Sequence, residues 1–215
     1  MRRQVKALLG RLAYTGGAQR LLLRDKALIV LFHRVDDRLP GNPISCTSGE
    51  FRAYCEFFAR HFRVVSLGEL LGRLARGADI SHHLVITFDD GYRDNCEVAA
   101  PELLRLGLPA CFFIATGFIG TKRVPWWDAE RGIESEWMSW EQVRFLHRQG
   151  FEIGAHTRNH VDLGIVSGDE AREEIEGSRR RLEAELGSEV RYFSYPFGRR
   201  EQLTDENRQL VRACG

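Results

Sequence analysis

Two short stretches of the sequence carry the side chains best suited to metal chemistry. Two neighbouring carboxylates, Asp89 and Asp90, follow the apolar run at residues 84–88. Two histidines four positions apart, His156 and His160, follow a second apolar run. Two imidazoles and one carboxylate are a common ligand set for a catalytic divalent metal, because they leave one coordination position open for water. The spare carboxylate can then take a proton from that water.

Further residues extend this candidate site. Residues 195–198 read Tyr-Pro-Phe-Gly and follow another apolar run, residues 190–194. His33 follows the first apolar run of the chain, where a histidine fits a proton donor, a substrate contact or a hydrogen-bonded structural residue. Trp126 and Trp127 lie in a long segment without a regular pattern. Such a pair fits either stacking on a sugar ring or ordinary packing.

The elements that must position these side chains alternate between apolar strands and helices. Alternation of this kind indicates a mostly parallel sheet covered by helices, as an open sheet or a barrel. Active groups in such folds lie just past the C-terminal ends of the strands. Residues 89–90, 156–160 and 195–198 should therefore meet at one rim of the sheet or barrel. We predict strands at residues 27–32, 63–65, 84–88, 110–115, 151–154 and 190–194. Ser48 is predicted to cap one helix and Ser139 to open another with a capping box, and further helices should end at Leu106 or begin at Leu67, Ser167 and Thr204.

Composition and charge narrow the class of protein. The chain has 215 residues, a net charge of +1 and 43% hydrophobic residues, which is typical of a single globular domain. A charge so close to zero indicates no general affinity for nucleic acid. None of the five cysteines forms a CxxC pair, so we do not expect a structural zinc site made of cysteines.

The first residues of the chain are basic and moderately apolar. We predict an N-terminal helical segment over residues 1–27, in which an amphipathic helix at 5–23 packs on the domain or lies on a membrane surface. No apolar run there is long enough for a signal peptide or a transmembrane span. We therefore expect a cytoplasmic or inner-membrane-associated protein, with a periplasmic location as the alternative. The sequence gives no indication of the oligomeric state.

The motifs together resemble those of a known family. TFDDG at residues 87–91, HTRNH at 156–160 and YPFG at 195–198 resemble the first three motifs of the polysaccharide deacetylases, the NodB-homology or carbohydrate esterase four family. LFHRV at 31–35 resembles the strand that opens many members. The resemblance implies a deacetylase domain over residues 28–215, with its motif core from about 82 onward. It also implies an α/β fold, a distorted (β/α) barrel with fewer than eight strands.

The resemblance also implies a reaction and a role for each motif residue. Family members use a metal, usually zinc and sometimes cobalt or nickel, to hydrolyse N-acetyl or less often O-acetyl groups of glycans. By position, Asp89 is the general base, and the backbone N–H of Phe197 helps to stabilise the oxyanion. An N-acetylated glycan is then the expected partner. The implied metal ligands are Asp90, His156 and His160, and the candidate substrate contacts are Tyr195, Pro196, Trp126 and Trp127.

The sequence departs from the family pattern at two places. Ser194 stands where many members have an arginine that orients the base. No leucine–x–histidine motif, whose histidine is the general acid, follows Phe197, so we expect the last unit of the barrel to be missing. His33 is then a candidate proton donor. Three hypotheses stay open: a deacetylase that closes its site differently, a catalytically silent glycan-binding domain, and a C-terminally truncated deacetylase fragment.

Overall fold

Strands and helices alternate along residues 22–214, the part of the chain that the computed structural model describes. The strands are β1 (Ala27–Phe32), β2 (Arg34–Val35), β3 (Ser45–Cys46), β4 (Arg63–Val64), β5 (His83–Phe88), β6 (Cys111–Ile114) and β7 (Glu152–Ala155). The helices are α1 (Ser48–His61), α2 (Leu67–Ala75), α3 (Ala100–Leu106), α4 (Trp126–Ala129), α5 (Trp140–Arg148), α6 (Gly168–Leu186) and α7 (Asp205–Ala213). A π-helical turn, Asn95–Ala99, leads into α3, and a 3₁₀ turn spans Arg200–Gln202.

The main sheet has five strands, and every pair in it is parallel. Strand β5 is central: it pairs with β1 along its whole length, with β4 at its start and with β6 at its end. Strand β6 pairs in turn with β7, while β2 and β3 form a separate parallel pair. The predicted α/β fold with fewer than eight parallel strands is therefore confirmed in the described residues. The expected loss of a last barrel unit stays a prediction.

An aromatic layer lies under the C-terminal end of the sheet. All six residues of β5 are buried, as expected for a strand covered on both faces. The ring of Phe88, the last residue of β5, lies 5.5 Å from that of Phe32 and 4.8 Å from that of Phe112. Phe51 of α1 meets Phe88 edge-on at 5.7 Å. This packing fixes the strand ends from which the Asp89–Asp90 turn leaves the sheet.

The predicted N-cap of α1 needs a correction of one residue. Thr47, not Ser48, is the N-cap: its hydroxyl accepts from the Glu50 N–H, and the Glu50 carboxylate accepts from the Thr47 N–H. Ser48 instead donates to Asp37. The same reciprocal capping box, predicted for Ser139, is confirmed at the start of α5.

The predicted strand over residues 190–194 is wrong. This segment makes one isolated parallel bridge, Ala155 to Phe193, beside the end of β7. The ladder stops there because Pro196 has no N–H to donate and Phe197 has a positive φ of 64°. Gly154 permits this segment to approach β7 closely, since a Cβ at position 154 would lie 3.0 Å from the carbonyl oxygen of Tyr192.

The predicted N-terminal helical segment lies almost entirely outside the described residues. Of the amphipathic helix at 5–23, only residues 22 and 23 are described. Within residues 22–214, no helix has the length and apolar character needed to cross a membrane.

Candidate active site

The three predicted metal ligands meet beyond the ends of β5 and β7. Asp90 is the second residue after β5, His156 follows β7 directly, and His160 lies in the next loop. Oδ1 of Asp90 lies 3.4 Å from Nε2 of His156 and 3.3 Å from Nε2 of His160. One ligand atom from each residue lies within 4.8 Å of the other two. The structure thus brings together side chains that lie up to 70 positions apart in the sequence.

The chemistry of these three groups fits a divalent cation. Oδ1 of Asp90 is buried and has no hydrogen-bond partner within residues 22–214, although two ring nitrogens face it. Nδ1 of His156 lies 2.8 Å from the carbonyl oxygen of Ser194, which assigns a ring proton to Nδ1 and turns Nε2 toward Asp90. A carboxylate oxygen beside two imidazole nitrogens is a donor set typical of zinc.

The environments of the two neighbouring carboxylates push their pKa values apart. Burial raises the pKa of Asp89 above its usual range. Burial acts the same way on Asp90, but contacts with His156 and His160 outweigh it and hold the pKa of Asp90 well below its usual range. Asp90 therefore stays an anion suited to bind a cation, whereas Asp89 takes up a proton more readily, as a general base must.

Ser194 occupies the position where the family pattern has an arginine, and it contacts the candidate base directly. Its hydroxyl donates to Oδ2 of Asp89 at 3.2 Å. Nε2 of His156 lies 3.9 Å from the same oxygen. Oδ1 of Asp89 has no hydrogen-bond partner within residues 22–214. An uncharged hydroxyl thus orients the base and leaves one of its oxygens available.

Backbone strain is concentrated at this site. Six non-glycine residues of the described chain have positive φ, and four of them carry or flank the candidate catalytic groups. A β-branched residue such as Thr157 rarely adopts this conformation, so the surrounding structure must impose it. The four are Asp90 at 75°, Thr157 at 59°, His160 at 54° and Phe197 at 64°.

A cavity of about 760 Å³ lies over the two aspartates. Trp127 and Phe197 flank His160, with ring centroids 4.7 and 4.8 Å from its own. Trp126 is 58% exposed. Pro196 is buried and does not line the cavity, so the structure places it behind the wall. The other predicted site residues all line it: His33, Asp89, Asp90, Trp126, Trp127, His156, His160, Tyr195 and Phe197.

A buried charged network behind the cavity wall was missed from the sequence. Arg34 is 1% exposed and contacts Asp36 and Asp128, each at 3.3 Å, with its guanidinium 4.5 Å from the centre of the Tyr92 ring. The Tyr92 hydroxyl donates to Asp128 at 3.1 Å and accepts from Nε1 of Trp127 at 2.9 Å. The wall that carries Trp127 is thus anchored to buried charges. The one hint of this network in the sequence was Asp128, a carboxylate directly after Trp126 and Trp127.

Comparison with known proteins agrees with the motifs. A family model described as polysaccharide deacetylase matches residues 76–215. YxkH of Bacillus subtilis, provisionally named a polysaccharide deacetylase, is 25% identical over 181 residues. That match covers 83% of this chain but only 59% of YxkH, so the chain spans about three-fifths of the length of this curated relative.

Solved structures share the fold. IcaB from Ammonifex degensii matches with a TM-score of 0.72 and 24% identity, over 89% of this chain and 81% of that one. The Streptococcus pyogenes deacetylase PplD, solved in complex with acetate, has a TM-score of 0.72 and 21% identity, over 87% and 80%. Similarity at this identity establishes the fold alone. Since the family model matches more than half of the sequence, the chain belongs to the polysaccharide deacetylase family.

Proposed function

We propose that the chain is a metal-dependent deacetylase that removes N-acetyl groups from a glycan. One observation carries the proposal. A buried, unpartnered oxygen of Asp90 faces two imidazole nitrogens, and a second carboxylate, Asp89, lies beside it at the floor of an open cavity. Membership of the polysaccharide deacetylase family supports the same reaction.

Asp90, His156 and His160 would hold the ion, for which we propose zinc, with cobalt or nickel as alternatives. When bound, the ion supplies positive charge that acidifies a water molecule and polarises the acetyl carbonyl. The carbonyl of Ser194 fixes the His156 ring for this role by accepting from Nδ1.

Asp89 takes the proton from the attacking water as the water oxygen bonds to the acetyl carbon. Its Oδ2 is held by the Ser194 hydroxyl. The carbonyl oxygen gains negative charge in this step and needs a hydrogen-bond donor. The backbone N–H of Phe197 has no acceptor within residues 22–214, and Phe197 lines the cavity, so we assign it that role.

His33 supplies the acid for the second step. It lines the same cavity as Asp89. As the C–N bond breaks, its electron pair goes to the nitrogen, and protonated His33 gives its proton there. Acetate and a free amine are the products. A histidine at this place in the cavity supports an enzyme over a silent glycan-binding domain.

The aromatic wall is suited to a sugar substrate. Trp126, Trp127 and Tyr195 line the cavity beside the catalytic groups. Aromatic faces pack against the C–H faces of sugar rings, and the exposed Trp126 has its surface available for that contact.

Metal analysis combined with an acetate assay tests the proposal. The purified chain is analysed for metal and incubated with N-acetylated and O-acetylated oligosaccharides in parallel. We expect about one zinc per chain, and acetate release together with new free amines. Metal without acetate from either substrate would favour a silent glycan-binding domain, and acetate from the O-acetylated substrate alone would contradict N-deacetylation. A chain that binds no divalent metal would contradict the whole assignment.

A further inference from the structure

We propose that Glu174 is a positioning residue that holds the loop between the two metal-binding histidines and thereby sets the metal affinity of the site. This inference rests on the metal site of the proposed function. Glu174 lies on α6, outside the cavity, and touches neither imidazole. It acts on the backbone that carries them.

The carboxylate of Glu174 makes three hydrogen bonds to this loop. Its Oε2 accepts from the backbone N–H groups of Arg158 and Asn159 at 2.8 and 2.7 Å. Its Oε1 accepts from the side-chain amide of Asn159 at 2.6 Å. Glu174 is only 6% exposed, so these charge-assisted bonds form away from water, where they are strong. Both carboxylate oxygens of Glu174 thus accept hydrogen bonds from residues of the HTRNH motif.

The segment after β6 holds the same loop from its other side. Gly117 donates its N–H to the carbonyl of Arg158 at 2.6 Å, and Arg123 donates to the side-chain oxygen of Asn159 at 2.7 Å. Arg158 and Asn159 are therefore held between α6 and this segment. Glu174 supplies the buried negative charge of this arrangement.

The conformation of the loop explains why it needs such support. Thr157 and His160, at the two ends of the clamped pair, both have left-handed φ values. Strained residues persist only where neighbouring contacts determine the backbone. If the bonds from Glu174 are lost, residue 160 can relax, and its ring then moves away from Asp90. Loss of contacts one layer behind a metal ligand typically weakens metal binding tenfold to a hundredfold.

The substitution Glu174→Gln tests this proposal with little change in shape. The glutamine oxygen still accepts from the two backbone N–H groups, but its amide nitrogen then faces the amide nitrogen of Asn159. We expect the Zn²⁺ affinity of the metal-stripped full chain, measured by titration calorimetry, to fall tenfold to a hundredfold. Adding Asn159→Asp restores a donor–acceptor pair and keeps an oxygen for Arg123, so the double variant should regain most of the affinity.

A matched control comes from the preceding residue. Glu173 contacts the same loop, but only through the exposed Arg158 side chain at 2.6 Å. Glu173→Gln removes a similar charge without touching the loop backbone, so its Zn²⁺ affinity should stay within a few-fold of wild type. Thermal melts of all variants distinguish a positioning role of Glu174 from a purely structural one. If Glu174 were purely structural, its substitution would lower Tm and leave the Zn²⁺ affinity at 25 °C unchanged.

The outcomes separate this inference from the proposed function. A wild-type chain that binds Zn²⁺, with a folded Glu174→Gln variant that binds as tightly, would overturn the inference alone. A wild-type chain that binds no Zn²⁺ would overturn both. If Glu174→Gln does not fold, Asn159→Ala removes one of the three bonds, and an unchanged affinity in that variant would equally overturn the inference.

Discussion

The Ser194 hydroxyl donates to Oδ2 of Asp89 at 3.2 Å, across 105 positions of sequence. Within residues 22–214 this is the only side-chain hydrogen bond that Asp89 accepts. The bond joins the candidate base at the end of β5 to the segment that also carries Phe197. The contact therefore ties the candidate base to the segment that carries the proposed oxyanion donor.

Removing this hydroxyl should slow the reaction without removing the metal. A hydrogen bond to a charged group contributes about 1.5–3 kcal/mol, so we expect Ser194→Ala to lower kcat roughly tenfold to a hundredfold. Metal content and KM should not change, because the Ser194 carbonyl still fixes His156. Steady-state kinetics and elemental analysis check this, with Ser194→Thr as the variant that keeps a hydroxyl. An unchanged kcat in Ser194→Ala would mean that Asp89 needs no partner.

The two neighbouring aspartates should fail in different ways. Asp90→Asn removes the ionised ligand, so metal content and activity should be lost together. Asp89→Asn leaves the ligands in place, so the chain should keep its metal while kcat falls about 10²- to 10⁴-fold. Elemental analysis beside an acetate assay distinguishes the two variants. Loss of metal from Asp89→Asn with retention by Asp90→Asn would reverse the assignment.

Trp126 should affect substrate binding more than turnover or stability. Its ring is 58% exposed and lines the cavity, so its removal costs little packing. An aromatic contact contributes about 0.5–1.5 kcal/mol, so Trp126→Ala should raise KM about twofold to tenfold with kcat and Tm nearly unchanged. Trp126→Phe keeps an aromatic face and should restore most of the binding. A fall in kcat at constant KM would place Trp126 outside the binding surface.

Ionisation of buried Asp94 should make the free energy of unfolding depend on pH. Burial raises its pKa from an ordinary value of 3.8 to about 6. Between these values the native state holds a proton that the unfolded state has released, so the free energy of unfolding falls as pH rises. In Asp94→Asn this contribution is absent. The free energy of unfolding of Asp94→Asn, relative to that of the wild type, should therefore rise by up to about 3 kcal/mol between pH ~4 and pH ~7.

Urea unfolding at several pH values measures this change. The metal-stripped chain is used, because metal binding by histidine and aspartate has a pH dependence of its own. Asp94→Asn keeps an oxygen for the Val35 N–H, which Asp94 accepts at 3.0 Å. Nε of Arg34 lies 3.6 Å from Oδ2 of Asp94, and any baseline loss from changing this contact is independent of pH. A stability difference that stays constant across the range would show that Asp94 ionises normally.

The residues that the structure brings together could be picked out from the sequence because this chemistry needs particular residue types at strand ends. Asp89 and Asp90 follow an apolar run, and the parallel arrangement of β5 and β7 places them at the same edge as His156 and His160. The bounds of β1 and β5 were predicted to within one residue, since continuous apolar runs end there at polar residues.

The supporting contacts could not be predicted from the sequence. Arg34 and Asp128 lie 94 positions apart, and only the fold brings them together. Glu174 is one of many glutamates on α6, and residue type does not tell a buried carboxylate from an exposed one. The predicted strand at 190–194 failed for a related reason. An apolar pattern indicates an extended chain but not how many ladder bonds it makes.

The single bridge between Ala155 and Phe193 has a consequence for the order in which the molecule opens. The proposed metal ligands follow β5 and β7, each of which pairs with β6, while Ser194 and Phe197 belong to a segment whose backbone joins the sheet at a single bridge. Segments with few backbone bonds detach at lower free energy than the core, and their amides exchange with solvent sooner. Under mild denaturant, amides near Phe193 should therefore exchange before those of β5. The contact between Ser194 and Asp89 would then be lost before the sheet opens, together with the carbonyl that holds the His156 ring.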